Sequence, residues 1–251
     1  VPNQVSAGSQ PDWYMGFLDG AVRIMPNWEL HLFSHTLSLN LMVPAMLMPT
    51  ALIAIVVAYP WLEGWATARK GEQHLLDRPR NVPTRTALGA AFLAFYLILF
   101  ISAGNDLIAT AFHMSINDIT HAFRLLVFVV PVVVFWSTKR IALSLQRRDL
   151  DRLMHGNETG NVLRLPHGEF IEKHSPLNAR DFAVITSKPE NAPIPMPTET
   201  DSAGVRRKNY RKLRMQSKLS HFFYGDQIPM PSAEEIAAAQ AHIASGDHSA
   251  H

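Results

Sequence analysis

Residues 37–59 read LSLNLMVPAMLMPTALIAIVVAY, an apolar run without a charged side chain. As a helix it is about 35 Å long, enough to cross a hydrocarbon core of roughly 30 Å. Pro44 and Pro49 lie inside it. In a soluble helix they would argue for a break, but membrane helices tolerate proline better. Two further runs follow. Thr86 to Ile108 is the second span, with Asn105 and Asp106 marking its far end. Ala122 to Trp136 is the third; it is short, but Phe123, Leu125 and Leu126 extend it past Arg124, which can snorkel. The alternative reading, buried core helices of a soluble protein, is disfavoured because all three runs are close to bilayer length.

The mean hydropathy of the 251 residues is near zero and hides a split. Apolar residues crowd the first 140 positions, and the remainder is polar, charged and Pro-containing. A membrane part followed by a tail is therefore expected. The expected fold class is an all-α membrane protein: an interfacial amphipathic helix, three transmembrane helices, and a long, largely irregular tail with short helices. The expected divisions are 1–36, 37–140 and 141–251. The absence of Cys removes disulfides, thiolate metal sites, iron–sulfur ligation and covalent haem attachment. The chain starts at Val1, without a secretory leader pattern, and reads as a piece of something longer.

Charge asymmetry sets the expected orientation. The loop between the first two spans holds Arg69, Lys70, Arg78, Arg80 and Arg85, and Lys139, Arg140, Arg147 and Arg148 follow the third. The loop between spans two and three has Asp106 and Asp118 but no Lys or Arg. The positive-inside rule puts the basic loop and the tail in the cytoplasm, and the segment before span one outside a plasma membrane. Trp61 and Trp65 at the inner boundary, and Trp28 at the outer, fit interfacial anchors.

Upstream of the first span stands Pro11-Asp12-Trp13-Tyr14. At helical spacing Asp12, Gly16, Asp19, Gly20 and Arg23 share one face, while Trp13, Phe17, Leu18, Ala21, Val22, Ile24 and Met25 cover most of the rest, up to Pro26. Two readings stay open. In one the stripe is a pocket wall, its glycines admitting a flat ring and Asp12 and Asp19 accepting protons. In the other it is a surface helix, with Asp12 as N-cap and an Asp19–Arg23 pair at i,i+4.

The order Pro-Asp-Trp-Tyr, LDGAVRIMPNWE (18–29), then three spans with RPRNVPTRT (78–86) leading into the second, resembles the C-terminal part of cytochrome b from the cytochrome bc complex. The likeness covers roughly residues 5–148 and is greatest to the actinobacterial form, which also fits the long tail. It implies a respiratory menaquinol:cytochrome c oxidoreductase that oxidises quinol at an outer (Qo) site and releases protons there. The family's Pro-Glu-Trp-Tyr motif falls on residues 11–14, so the resemblance implies Asp12 as proton acceptor and Tyr14 as the motif tyrosine. Trp13, Met15, Leu18 and Asp19 are the expected surroundings of the quinol ring. Asp is shorter than the family's Glu by about 1.5 Å, which favours a bridging water or help from Asp19.

The resemblance further implies haem b in the intact subunit, a Rieske iron–sulfur protein, a c-type cytochrome subunit, a homodimer, and cytochrome oxidase in a supercomplex. The haem ligands should lie in an N-terminal part, because none of the three runs contains His and His121 stands only at an edge. His31 and His35, spaced i,i+4, are read as interfacial hydrogen-bonding groups rather than a metal site. A non-catalytic assembly subunit is the alternative function. A transporter is disfavoured, since no span carries an ionisable residue near its middle.

In the tail, residues 188–198 read as a Pro-rich linker. Residues 205–224 are basic with interleaved aromatics. A solvated helix, or contact with anionic lipid or an acidic partner, is expected there rather than nucleic acid. Ser232-Ala-Glu-Glu235 is a capping-box pattern before a short helix.

Overall fold

The computed structural model describes residues 12–33, 35–67, 77–187, 193–200, 204 and 207–245. A 3-10 turn, Trp13–Met15, leads into α1 (Gly16–Ile24). A hairpin follows, β1 (Glu29–Leu32) antiparallel to β2 (His35–Ser38). The first long helix runs from α2 (Leu39–Met42) through a π-helical segment, Val43–Leu47, into α3 (Met48–Thr67). Pro44 lies in the wide π turn and Pro49 just beyond it. The wider π turn accommodates the proline ring, which has no amide hydrogen to donate. After a 3-10 turn at Pro79–Asn81 come α4 (Pro83–Ser102), α5 (Asn105–Phe112) and α6 (Ile116–His155). Three helices, Leu39–Thr67, α4 and α6, are long and apolar enough to cross a membrane.

The helices differ from the expected spans at their ends. The strand β2 takes Leu37 and Ser38, so the first helix starts two residues later than expected and continues past Tyr59 to Thr67. The second ends at Ser102, where Ala103 and Gly104 turn the chain into the separate helix α5. The third is not short: α6 has 40 residues, about 60 Å at 1.5 Å per residue. Its polar second half gave no membrane signal, yet the backbone continues unbroken to Gly156. There φ is 83°, and an added Cβ would lie 2.6 Å from the Ser175 carbonyl oxygen, so glycine is required for the turn into β3.

The tail is more ordered than expected. The strands β3 (Asn157–Arg164) and β4 (Phe170–Ser175) form a second antiparallel hairpin, followed by α7 (Ala179–Thr186), α8 (Tyr210–Tyr224) and α9 (Ala233–Ser245). Leu153 of α6, Ile185 of α7 and Ile236 of α9 make a small buried core. The capping box is present: Ser232 Oγ accepts from the Glu235 amide at 3.2 Å, and the Ser232 amide donates to Glu235 at 2.7 Å. These two Ser232 contacts lower the Glu235 pKa. The first part of the expected linker, 188–192, lies outside the described residues; 193–198 is without helix or strand.

Long-range ion pairs and hydrogen bonds fasten the tail to the adjacent ends of the spans. Asp226 accepts from Lys139 at 2.7 Å and from Thr84 at 2.6 Å. Asp149 takes two hydrogen bonds from Arg80, at 2.8 and 2.9 Å. Glu63 joins Arg85 at 2.7 Å and accepts from the Tyr224 phenol at 3.3 Å. Gln216 donates to the Trp65 carbonyl at 2.6 Å. At the opposite end of the spans a second core collects Ala21, Ile24, Leu99, Ala109, Ile119, Phe123 and Val127 beneath α1. Between these ends most apolar side chains are exposed; in the most apolar stretch of the first helix only 6% of residues are buried. Such surfaces require lipid or protein against them.

Candidate functional site

The chain enters the site at Asp12, whose extended backbone (φ −54°, ψ 142°) precedes the 3-10 turn. Its carbonyl accepts from the Met15 amide at 2.8 Å. The side chain does not cap the helix, contrary to the N-cap reading. Instead the Tyr14 hydroxyl donates to Asp12 Oδ2 at 2.7 Å. That hydrogen bond is the main cause raising the Tyr14 pKa, so the phenol is held protonated as a donor. A carboxylate with one oxygen so engaged retains acceptor capacity on the other. Trp13 stands edge-on to Tyr14, ring centroids 6.0 Å apart. Trp13, Tyr14 and Met15 are 76%, 54% and 44% exposed, and thus form an open wall rather than a closed pocket.

The helix α1 holds this wall in place. Its glycines do not face a ligand ring, as the pocket-wall reading expects, but helix α4. A Cβ on Gly20 would lie 1.8 Å from the Leu99 carbonyl oxygen and 2.4 Å from Ser102 Oγ. On Gly16 it would meet the Phe100 ring at 2.8 Å. The small residues thus let two helix backbones approach closely, as small residues do where membrane helices cross. Phe17 packs on Tyr96 alongside, ring centroids 5.0 Å apart. Leu18 is half-buried on the same helix.

Asp19 forms the i,i+4 pair with Arg23 at 2.7 Å. Arg23 also reaches Asp106 at 3.2 Å and donates to Asn105 Oδ1 at 3.0 Å. Asn105 in turn contacts Thr120 of α6 at 3.4 Å. Arg124, expected only to snorkel, donates through Nε to the Ile24 carbonyl at 2.7 Å and so caps the C-terminus of α1. Apart from the Asp19–Arg23 spacing, the only trace these positioning contacts leave in the sequence is an Arg inside an otherwise apolar run.

Among the described residues no cluster of His, Asp and Glu fits a metal ion. His31 and His35 sit on paired strands rather than one helix face, and His31 hydrogen-bonds Thr36 at 3.0 Å. The site therefore consists of a carboxylate, a phenol donor and flanking aromatic and apolar side chains, fixed at one end of a set of membrane-grade helices. Three helices of membrane-crossing length and apolarity, with a polar aromatic cluster at one end, define the class of helical membrane proteins to which the chain conforms.

Curated relatives make the class specific. The chain is 51% identical over 236 residues to the cytochrome bc1 complex cytochrome b subunit of Streptomyces coelicolor, covering 93% of this chain and 43% of that protein. Identity to the subunit of the same name from Corynebacterium efficiens is 38% over 247 residues, covering 98% and 43%. For Mycobacterium tuberculosis it is 45% over 180 residues, covering 72% and 32%. No family model matches the chain. The chain belongs with the actinobacterial cytochrome b subunits and fits their C-terminal part. It spans about two fifths of the length of the first relatives it matches.

Proposed function

We propose that this chain forms part of the outer quinol-oxidation site of a respiratory quinol:cytochrome c oxidoreductase, with menaquinol as substrate. The observation that carries the reading is the Asp12–Tyr14 pair, a proton acceptor beside a fixed donor on an exposed aromatic wall. Oxidation of a quinol to a quinone releases two electrons, which the redox centres of the partner subunits would take up, and two protons, one to Asp12 and one to water on the outer side. A quinol hydroxyl is a poor acid, so a base within hydrogen-bond reach lowers the barrier. In this reading Asp12 accepts one proton on the oxygen that Tyr14 leaves free. Tyr14 orients the carboxylate, and Trp13, Met15 and Leu18 supply apolar contact for the ring. The structure favours Asp19 as an indirect contributor, because its carboxylate is held by Arg23.

The basic residues Arg78, Arg80, Lys139, Arg140, Arg147 and Arg148 all lie toward the tail end of the spans. By the positive-inside rule that end faces the cytoplasm, and Asp12 faces outward. Haem b is expected in the intact subunit, but the spans of this chain do not fit it. The His residues in α6 are His121, beside Arg124 at 3.4 Å, and His155, beside Asp151 at 3.0 Å, both away from the apolar stretch. The haem-binding part of cytochrome b, a Rieske protein and a c-type cytochrome subunit are therefore the proposed partners. The exposed apolar flanks of the spans are where the first would pack; dimerisation and a cytochrome oxidase supercomplex extend the same proposal. An azido-quinone photolabel on the intact complex tests the site. Labelling of the peptide from Asp12 to Asp19 is expected, and labelling confined to other peptides would overturn the placement.

A further inference from the structure

We propose that α8 is a peripheral membrane anchor whose outward face binds the anionic headgroups of the cytoplasmic leaflet. One side of this helix is committed to the protein. Ser217, Ser220 and Tyr224 are buried, Ser220 Oγ accepts from the Ile194 amide at 3.0 Å, and Gln216 reaches the Trp65 carbonyl at 2.6 Å. The opposite side carries Arg211, Met215, Lys218 and Phe222, spaced by four, three and four residues, with Arg214 beside them. Met215 is 61% and Phe222 52% exposed.

A surface exposing cations and large apolar groups together is unfavourable in water but suited to a headgroup boundary. There apolar side chains enter the acyl region while Arg and Lys meet phosphate. Location supports the same occupant. The Gln216 bond fixes α8 at the C-terminal end of α3, beside Trp61 and Trp65, and Lys139–Asp226 fixes its far end to α6. Among the described residues of α8 there is no acidic side chain, so charge complementarity calls for an anionic surface. Each basic residue near such a surface contributes about fivefold to binding, so Arg211, Arg214 and Lys218 together contribute about a hundredfold.

The chain contains no Cys, so Met215→Cys gives a single labelling position within it. The intact complex carrying a nitroxide there is placed in nanodiscs of phosphatidylcholine, with or without phosphatidylglycerol. With the anionic lipid the label should become less mobile and more accessible to oxygen than to a water-soluble relaxant. Adding Arg211→Glu, Arg214→Glu and Lys218→Glu should abolish that change. Assembly and thermal stability of the complex, which depend on the opposite face, should be retained. A label equally aqueous in both lipids overturns the proposal. So does a label immobilised alike in neutral lipid, anionic lipid and detergent, since that result identifies a protein partner on this face.

Discussion

Gly20→Ala should move the proposed quinol wall without touching any of its side chains. The added Cβ starts 1.8 Å from the Leu99 carbonyl oxygen, a backbone atom that cannot swing aside, and 2.4 Å from Ser102 Oγ. Ordinary contact needs about 3.4 Å, so α1 must retreat from α4 by about 1.6 Å (3.4 minus 1.8). Overpacking of this kind costs about 1–3 kcal/mol. The retreat also carries Asp12 and Tyr14 with it, and a misplacement of about 1 Å costs about a hundredfold in rate. Gly16→Ala is the internal comparison. Its Cβ meets the Phe100 ring at 2.8 Å, a side chain able to rotate, so its effect should be several-fold smaller. The assay is quinol-dependent cytochrome c reduction by the intact complex, with thermal unfolding measured in parallel. Turnover within twofold of the parent for Gly20→Ala, or a larger loss for Gly16→Ala, would refute the idea that the α1–α4 approach positions the site.

Asp19→Asn weakens the ion pair with Arg23 and so loosens the tie to Asp106 and Asn105. Turnover should fall by less than in Asp12→Asn, and the reverse order in steady-state assays would reassign the proton acceptor. Burial pulls the Asp226 pKa up, but the hydrogen bonds from Lys139 and Thr84 prevail and lower it. A lowered folded pKa means that Asp226 supports tail docking above the ordinary carboxylate value of about 3.9 and loses this as pH falls through the folded pKa. Hydrogen exchange in residues 225–232 should therefore rise on acidification below that range. Asp226→Asn should show raised exchange already at neutral pH. Ser232→Ala removes the hydroxyl that receives the Glu235 amide and should cost α9 about 1 kcal/mol, read as faster exchange in residues 233–240.

The three long apolar helices were legible in outline because apolar length is a local property of the chain. So were the Asp19–Arg23 pair and the Ser232 capping box, which depend on spacings of four and three residues. What escaped sequence reading depends on distant partners. Gly16 and Gly20 offered space equally to a ring and to a neighbouring helix, and only the position of Leu99 and Phe100 decides between them. Arg124 looked like a snorkelling side chain because its acceptor, the Ile24 carbonyl, lies 100 residues earlier. The continuation of α6 to His155 was hidden because its charged half has no membrane signal. The tail looked irregular because the links that order it, such as Thr84–Asp226 across 142 residues, leave no periodic trace. The two hairpins were missed for a related reason: their strands are short and lack a clean apolar alternation, and β2 and β3 are exposed at nearly every position.

In the proposed mechanism Asp12 takes a proton from quinol while Tyr14 orients the carboxylate. The most direct test is quinol turnover of the intact complex carrying Asp12→Asn, with haem content and assembly matched to the parent. An amide of the same shape keeps an acceptor for the Tyr14 hydroxyl but cannot serve as the base, so saturated turnover should fall by about 10²- to 10⁴-fold. Unchanged turnover at saturating quinol would rule out Asp12 as the proton acceptor.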